Sequence, residues 1–231
     1  MIINFEIHYK THPGQQLMIT GSVPALGNGN YEKARKMEMK NISSGLWTAR
    51  IQTDSQDFTY RYFVKDENFN TNLEEWGPDR VFRHEGRSAK VIVLSDRWRA
   101  PSDPEFALHT SAFTRAIFRE VTSFDAPRVK TAGKEGYVTV CFKPTVIRIK
   151  SGHRVAVAGS SKSIGSWKEN KALVLGNPNH PQWEGEVSVP VSDFPLSYKY
   201  LIQDDKGNTQ FWEKAANRSV SLPEGELPDV I

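Results

Sequence analysis

The sequence predicts an all-β protein made of two antiparallel β-sandwiches in tandem. Apolar and polar residues alternate over short stretches, as at Ile3, Phe5 and Ile7, which is the pattern of a half-buried strand. No stretch keeps the 3.6-residue apolar period of a helix over three turns. The second half of the chain also repeats the first at a fixed offset, so the same domain is expected twice.

The first copy reads as a series of short strands over residues 1–97. Leu17 and Ile19 precede a Gly-Ser turn, and the stretch Ala89 to Leu94 has the composition of a closing strand. Clusters of Gly, Pro, Asn and Asp separate these segments, as turns do between strands. Several short strands within about 100 residues indicate an antiparallel sandwich or barrel, and of these we predict a sandwich.

The repeat is seen in residues that recur 138 positions later, in the same order. The first copy supplies Gly14, Gly21-Ser22, Leu26-Gly27, Ala34, Tyr60-Arg61-Tyr62 and Asp79-Arg80, and the second Gly152, Gly159-Ser160, Ile164-Gly165, Ala172, Tyr198-Lys199-Tyr200 and Asn217-Arg218. The period is too long for a solenoid unit, so it indicates a duplicated domain.

A linker is predicted between the copies, over residues 98–132. It carries Pro101, Pro104 and Pro127, polar breaks, and one short apolar piece from Ser111 to Phe118. We expect an ordered linker that packs partly against a domain.

The second copy is predicted over residues 133–231. Val138, Val140 and Phe142 alternate as the first strand of copy one does. The last residues, Pro228 to Ile231, resemble the beginning of a closing strand that stops early. A sheet left with an unpaired edge is unusual, so we expect the chain to be the front part of a longer protein.

Composition excludes several classes of function. Thirty Lys plus Arg against 27 Asp plus Glu gives a net charge of +3, without the basic excess of a nucleic-acid binder. No apolar run is long enough for a membrane span, and the start lacks a secretory signal. Cys141 is the sole cysteine, which rules out an internal disulfide and a cysteine-rich zinc site. We therefore expect a cytoplasmic protein that binds neither nucleic acid nor membrane.

No catalytic, cofactor or metal site is predicted. The paired acids Glu74-Glu75 and Asp204-Asp205 would point to opposite faces of a strand, so neither is a ready acid/base couple. The six histidines show no metal-ligand spacing. The Gly27-Asn28-Gly29 turn lacks the following helix of a phosphate loop.

The informative residues are aromatic and polar groups of the second copy: Trp167, Lys199, Trp212, Glu213 and Asn217. Sugar rings present an apolar C–H face that stacks on indole and a rim of hydroxyls that needs donors and acceptors. This set suits such a ligand. The alternative is that both tryptophans are core or ordinary surface residues.

At these residues the second copy resembles the starch-binding domain, carbohydrate-binding module family 20. The matching motifs are Gly159-Ser160, Ile164-Gly165-Ser166-Trp167, Trp183, Tyr198-Lys199-Tyr200, Trp212-Glu213 and Asn217-Arg218. The resemblance implies immunoglobulin-like β-sandwiches and one α-glucan site formed by Trp167, Trp212, Lys199, Glu213 and Asn217. A second site of the family uses a tyrosine where this chain has Ser151.

The first copy lacks both tryptophans of that site, because Gly29 and Glu74 stand at the corresponding positions. We expect it to bind sugar more weakly. One hypothesis is a displaced site formed by Tyr31, Arg61, Glu75 and Trp76, and the alternative is a structural spacer.

The tandem arrangement is similar to the N-terminal region of disproportionating-enzyme-type 4-α-glucanotransferases, the amylomaltases of glycoside hydrolase family 77. This resemblance implies a catalytic domain downstream in the same chain that transfers glucosyl or maltosyl units between maltose and glycogen-like α-glucans. None of its catalytic residues can be assigned here. Two other hypotheses remain, a stand-alone glycan-binding regulatory protein and a protein–protein docking module without enzyme activity.

Overall fold

The computed structural model describes residues 1–68, 70–84, 89–100, 102, 125–129, 133–146, 148–179, 181–214, 216–223 and 227–231. It divides into two compact units, Met1–Thr110 and Ser111–Ile231, each of which contains one predicted domain. The predicted apolar piece from Ser111 to Phe118 lies outside the described residues. The domain limits at 97 and 133 stay predictions.

The described part of the first unit is built from strands and short 3₁₀ turns. The strands are β1 (Ile2–His8), β2 (Gln16–Gly21), β3 (Arg35–Lys36), β4 (Glu38–Asn41), β5 (Leu46–Gln52), β6 (Asp57–Lys65), β7 (Thr71–Glu74), β8 (Arg80–Arg83) and β9 (Val91–Arg97). The 3₁₀ turns are Pro24–Leu26 and Tyr31–Lys33. One sheet has the order β4-β5-β1-β9, and the other has the order β3-β2-β6-β7 with β8 also on β6.

The second unit repeats this plan. Its strands are β10 (Tyr137–Phe142), β11 (Arg154–Gly159), β12 (Leu173–Val174), β13 (Gly176–Asn179), β14 (Gln182–Pro190), β15 (Leu196–Gln203), β16 (Thr209–Trp212) and β17 (Arg218–Val220). The 3₁₀ turns are Lys162–Ile164, Glu169–Lys171 and Val191–Asp193. The sheets have the orders β10-β14-β13 and β12-β11-β15-β16, with β17 on β15. The all-β prediction is confirmed, and no described helix is long and apolar enough to cross a membrane.

One strand pair differs from the antiparallel expectation. Strand β9 runs parallel to β1, with Ile3 opposite Ile92. Because β8 belongs to the other sheet, the chain crosses over before β9, which is the kind of connection that parallel pairing needs. In the second unit Val230 makes the equivalent parallel bridge to Thr139 of β10.

Aromatic residues fill the space between the sheets of each unit. Phe5 meets Tyr60 edge-on at 5.1 Å between ring centroids, and Phe142 meets Tyr198 at 5.1 Å in the same way. Trp183 is fully buried. Such edge-to-face pairs add to the stability that burial of the rings supplies.

The segment 125–129 lies along the edge of the second domain's sheet. The backbone N–H of Glu186 donates to the carbonyl of Pro127 at 2.9 Å. The guanidinium of Arg128 binds Glu184 at 2.7 Å and Glu186 at 3.0 Å. The segment thus adds to strand β14 and fixes this end of the predicted linker on the domain that follows.

Gly176 makes room for this segment, and its replacement should be costly. A Cβ at position 176 would lie 2.3 Å from the backbone nitrogen of Ala126, closer than real contacts allow. We expect Gly176→Ala to lower the free energy of unfolding by about 1–3 kcal/mol in urea denaturation, as overpacking does. Glu38 is the matched control, since it occupies the corresponding position of the first unit with a 74% exposed side chain. A loss no larger than that of Glu38→Ala would contradict the packing role.

Candidate functional site

The outer face of the sheet β12-β11-β15-β16 carries Trp212. Leu201 pairs with Ala156 on one side and with Trp212 on the other. The Trp212 side chain packs against the buried cluster formed by Ala156, Ala158 and Leu201. Because the two alanines are small, the sheet surface has room for an indole ring to lie against it.

Glu169 fixes the edge of this indole. The Nε1–H of Trp212 donates to the Glu169 carboxylate at 2.7 Å. Glu169 begins a 3₁₀ turn and follows Trp167 by two residues. The two tryptophans are therefore connected through a single carboxylate and a short piece of backbone.

Trp167 is held in a strained turn. Gly165 has φ +88°, and Ser166 and Trp167 continue at +46° and +62°, in the left-handed region. Such a backbone costs an L-residue about 1–2 kcal/mol. The turn is closed by a hydrogen bond from the Trp167 N–H to the carbonyl of Gly159 at 2.8 Å, and the side chain is 38% exposed. Strain that surrounding structure maintains is typical of functional positions.

Lys199 and Asn217 lie on the same face. Lys199 pairs with Ala158, one of the residues beneath Trp212. Strand β17 pairs Arg218 with Tyr198, so the next residue pair along this register brings Asn217 beside Lys199. Among the residues that the structure describes, neither side chain has a hydrogen bond or ion pair. Their donors and acceptors are open to a ligand.

Glu213 takes the opposite face of its strand. Its two carboxylate oxygens accept from the Nε of Arg218 at 3.0 and 3.1 Å, and one also accepts from the Tyr200 N–H at 3.4 Å. The hydrogen bond that Arg218 donates to Glu213 raises the pKa of Arg218, whose guanidinium lies over the Tyr200 ring. Glu213 therefore connects Arg218 of β17 with Tyr200 of β15. A role of Glu213 in sugar binding stays a prediction.

The predicted residues of the first copy separate into two groups. Tyr31 and Arg61 meet at Glu74, whose carboxylate accepts from the Tyr31 hydroxyl and from Arg61, both at 3.1 Å. Trp76 is 43% exposed. Glu75 does not fit the predicted role, since its side chain is fully buried and bound by arginines. The strand alternation that turns Glu74 outward turns Glu75 inward.

Glu74 and Glu169 were not predicted from the sequence as candidate site residues. The repeat carried a signal, because the 138-residue offset pairs Glu74 with Trp212 and Tyr31 with Glu169. Within the described ranges, no cluster of His, Cys, Asp and Glu could hold a metal ion.

Comparison with known families shows which family the two units belong to. The family model described as "Starch binding domain" matches residues 1–92 and again residues 137–228. The chain belongs to the starch-binding domain family. The resemblance derived from the motifs is confirmed, and both copies are members.

The full-length relatives are larger proteins. The chain is 29% identical to the 4-alpha-glucanotransferase DPE2 of Oryza sativa subsp. japonica over 88% of its own length and 22% of that protein. It is 28% identical to a glucoamylase of Neurospora crassa over 43% of this chain and 16% of that protein. The chain thus spans about a fifth of the length of the first curated relatives it matches.

Among solved structures, the family 20 module of a maltotetraose-forming amylase from Pseudomonas saccharophila STB07 is similar to 42% of the chain. All of that module is covered, at 17% identity and a TM-score of 0.34.

Proposed function

We propose that this chain binds starch- or glycogen-type α-1,4-glucans, with the principal site on the second starch-binding domain. The observation that carries the proposal is the hydrogen bond from Trp212 to Glu169, two residues after Trp167. It orients one tryptophan and connects it to another that is held outward by a strained turn. Indole faces that are rigidly positioned bind sugar rings at little cost in side-chain entropy.

The polar groups supply the remaining recognition. Lys199 donates from its ammonium group, and the Asn217 amide both donates and accepts, so together they match the hydroxyl rim of a glucose unit. Glu213 contributes to the site by positioning the strand that carries Trp212. An open platform of this kind covers only two or three sugars. We therefore expect a Kd of roughly 10 μM to 1 mM.

Titration calorimetry of the whole chain with maltoheptaose tests the proposal. Saturable binding is expected with maltoheptaose, whereas cellohexaose, whose β-linkages give a flat chain, should bind at least tenfold more weakly. No saturable binding of maltoheptaose would favour the rival function, a protein–protein docking module. Equal binding of both sugars would contradict the α-glucan specificity.

We further propose that these domains serve a larger cytoplasmic enzyme that transfers glucosyl or maltosyl units between α-glucans. The similarity to the rice glucanotransferase over 88% of this chain supports it. In such an enzyme the domains would keep a downstream catalytic domain close to polymeric substrate, which raises its effective concentration. The gene sequence following the codon for Ile231 distinguishes this proposal from a stand-alone glycan-binding regulator.

A further inference from the structure

Both domains use a hydrogen bond between a strand and a turn to orient an aromatic side chain, but the aromatic donor and the carboxylate acceptor have exchanged positions. In the second domain an aromatic residue on the strand, Trp212, donates to Glu169 on the turn. In the first domain the carboxylate is on the strand, at Glu74, and the aromatic donor is Tyr31 on the turn. The same hydrogen bond is thus made with its ends reversed.

The sheet surface beneath explains the exchange. In the first domain the row of paired residues across β3, β2, β6 and β7 is Lys36, Met18, Phe63 and Glu74. In the second domain the corresponding row is Val174, Ala156, Leu201 and Trp212. Met18 and Phe63 are larger than Ala156 and Leu201, so they fill the space that the Trp212 indole occupies in the second domain.

The Tyr31 ring covers this surface from the turn. Its centroid lies 4.6 Å from that of Phe63. Burial, followed by the neighbouring Glu74, raises the pKa of the Tyr31 hydroxyl, so it stays a neutral donor at physiological pH. An aromatic face is therefore presented at the same place in the sheet as Trp212, although the sequence position differs.

A polar rim surrounds Tyr31. Arg61 donates to Glu74 at 3.1 Å, to Asp79 at 2.6 Å and to the Gly77 carbonyl at 2.8 Å. The side chains of Glu74 and Asp79 remain 42% and 49% exposed, so their free lone pairs can accept from sugar hydroxyls. Trp76, which is 43% exposed, lies in the chain between Glu74 and Gly77.

We infer that the first domain carries a second α-glucan site, in which Tyr31 is the stacking surface and Glu74, Arg61 and Asp79 bind hydroxyls. The inference rests on the proposed function and adds a site of different composition. One smaller aromatic ring replaces two indoles as the central anchor. We therefore expect the first domain to bind the same glucan about tenfold more weakly than the second.

The test uses the whole chain with the second site removed by Trp167→Ala and Trp212→Ala together. NMR titration with maltoheptaose should then show residual saturable binding. Adding Tyr31→Ala should weaken this binding at least tenfold, whereas Tyr31→Phe, which keeps the ring and loses the hydroxyl, should weaken it less than threefold.

The outcomes separate the two proposals. Residual binding that Tyr31→Ala leaves unchanged, or its absence once the second site is removed, would overturn the inference while leaving the proposed function intact. Absence of binding by the unmodified chain would instead overturn the proposed function itself, and the inference with it. A fold defect in Tyr31→Ala is recognised in the same NMR spectra, because loss of folding would collapse the dispersed amide signals of the first domain, whereas loss of sugar binding alone would leave them in place.

Discussion

Glu75→Gln is expected to lower the free energy of unfolding of the first unit by about 3–5 kcal/mol, because it removes one member of a buried ion network. The Glu75 side chain is fully buried. Arg80 approaches it at 2.8 Å and Arg99 at 2.9 Å, and the Tyr62 N–H donates to the same carboxylate at 3.2 Å. A neutral amide would leave two largely buried guanidinium groups without their shared counter-charge.

Glu213→Gln is the matched control, since Glu213 is the repeat equivalent of Glu75. Its carboxylate binds one arginine whose side chain is 37% exposed. Water can replace much of that interaction, so we expect a loss of about 1–2 kcal/mol. Urea denaturation followed by circular dichroism gives both values. Losses of equal size would show that burial of the first network contributes nothing extra.

The same network predicts a dependence on pH. Burial acts to raise the pKa of Glu75, but Arg80 and Arg99 outweigh it and keep the pKa below its ordinary value of 4.5. The stabilisation is therefore fully present above about pH 4.5 and is lost as the pH falls through the lower pKa of the folded state. The stability difference between the unmodified chain and Glu75→Gln should accordingly shrink in acid. A difference that stays constant down to pH 3 would contradict this.

Trp212→Ala is expected to weaken maltoheptaose binding at the second domain by about 2 kcal/mol or more, roughly thirtyfold. The indole is the proposed stacking surface; it packs against Ala156 and Ala158, and its Nε1–H donates to Glu169. Trp167→Ala should produce a loss of similar size, because it removes the other exposed aromatic face. Titration calorimetry measures both effects.

Phe211→Ala is the control for the tryptophan variants. Phe211 is the neighbouring residue on strand β16, is 61% exposed, and faces away from Trp212 because successive side chains on a strand alternate. Its removal should change the Kd less than twofold. An equal loss from Phe211→Ala would place the sugar on the other face of the sheet, and near-normal affinity of both tryptophan variants would remove the proposed site.

The sequence by itself determined the fold class and the duplication. Alternating apolar residues such as Ile3, Phe5 and Ile7 are a local signal, and in the structure they are the buried residues of strand β1. The spacing of repeated motifs is equally local, and the family comparison confirms that it marks two starch-binding domains. Neither signal requires knowledge of which strands are neighbours.

Only the tertiary structure decided how the candidate sites are built. Glu75 and Glu213 stand in the same motif as the candidate binding residues, yet strand alternation and the arginines turn them inward. The hydrogen bonds from Trp212 to Glu169 and from Tyr31 to Glu74 join residues 43 positions apart, and they became visible only when the turns were folded back over a sheet. Whether Trp212 or Tyr31 is the aromatic ring that covers the sheet depends on the volume of the residues beneath it on neighbouring strands. Packing of that kind is a property of contacts distant in sequence, so the residue pattern along one strand cannot specify it.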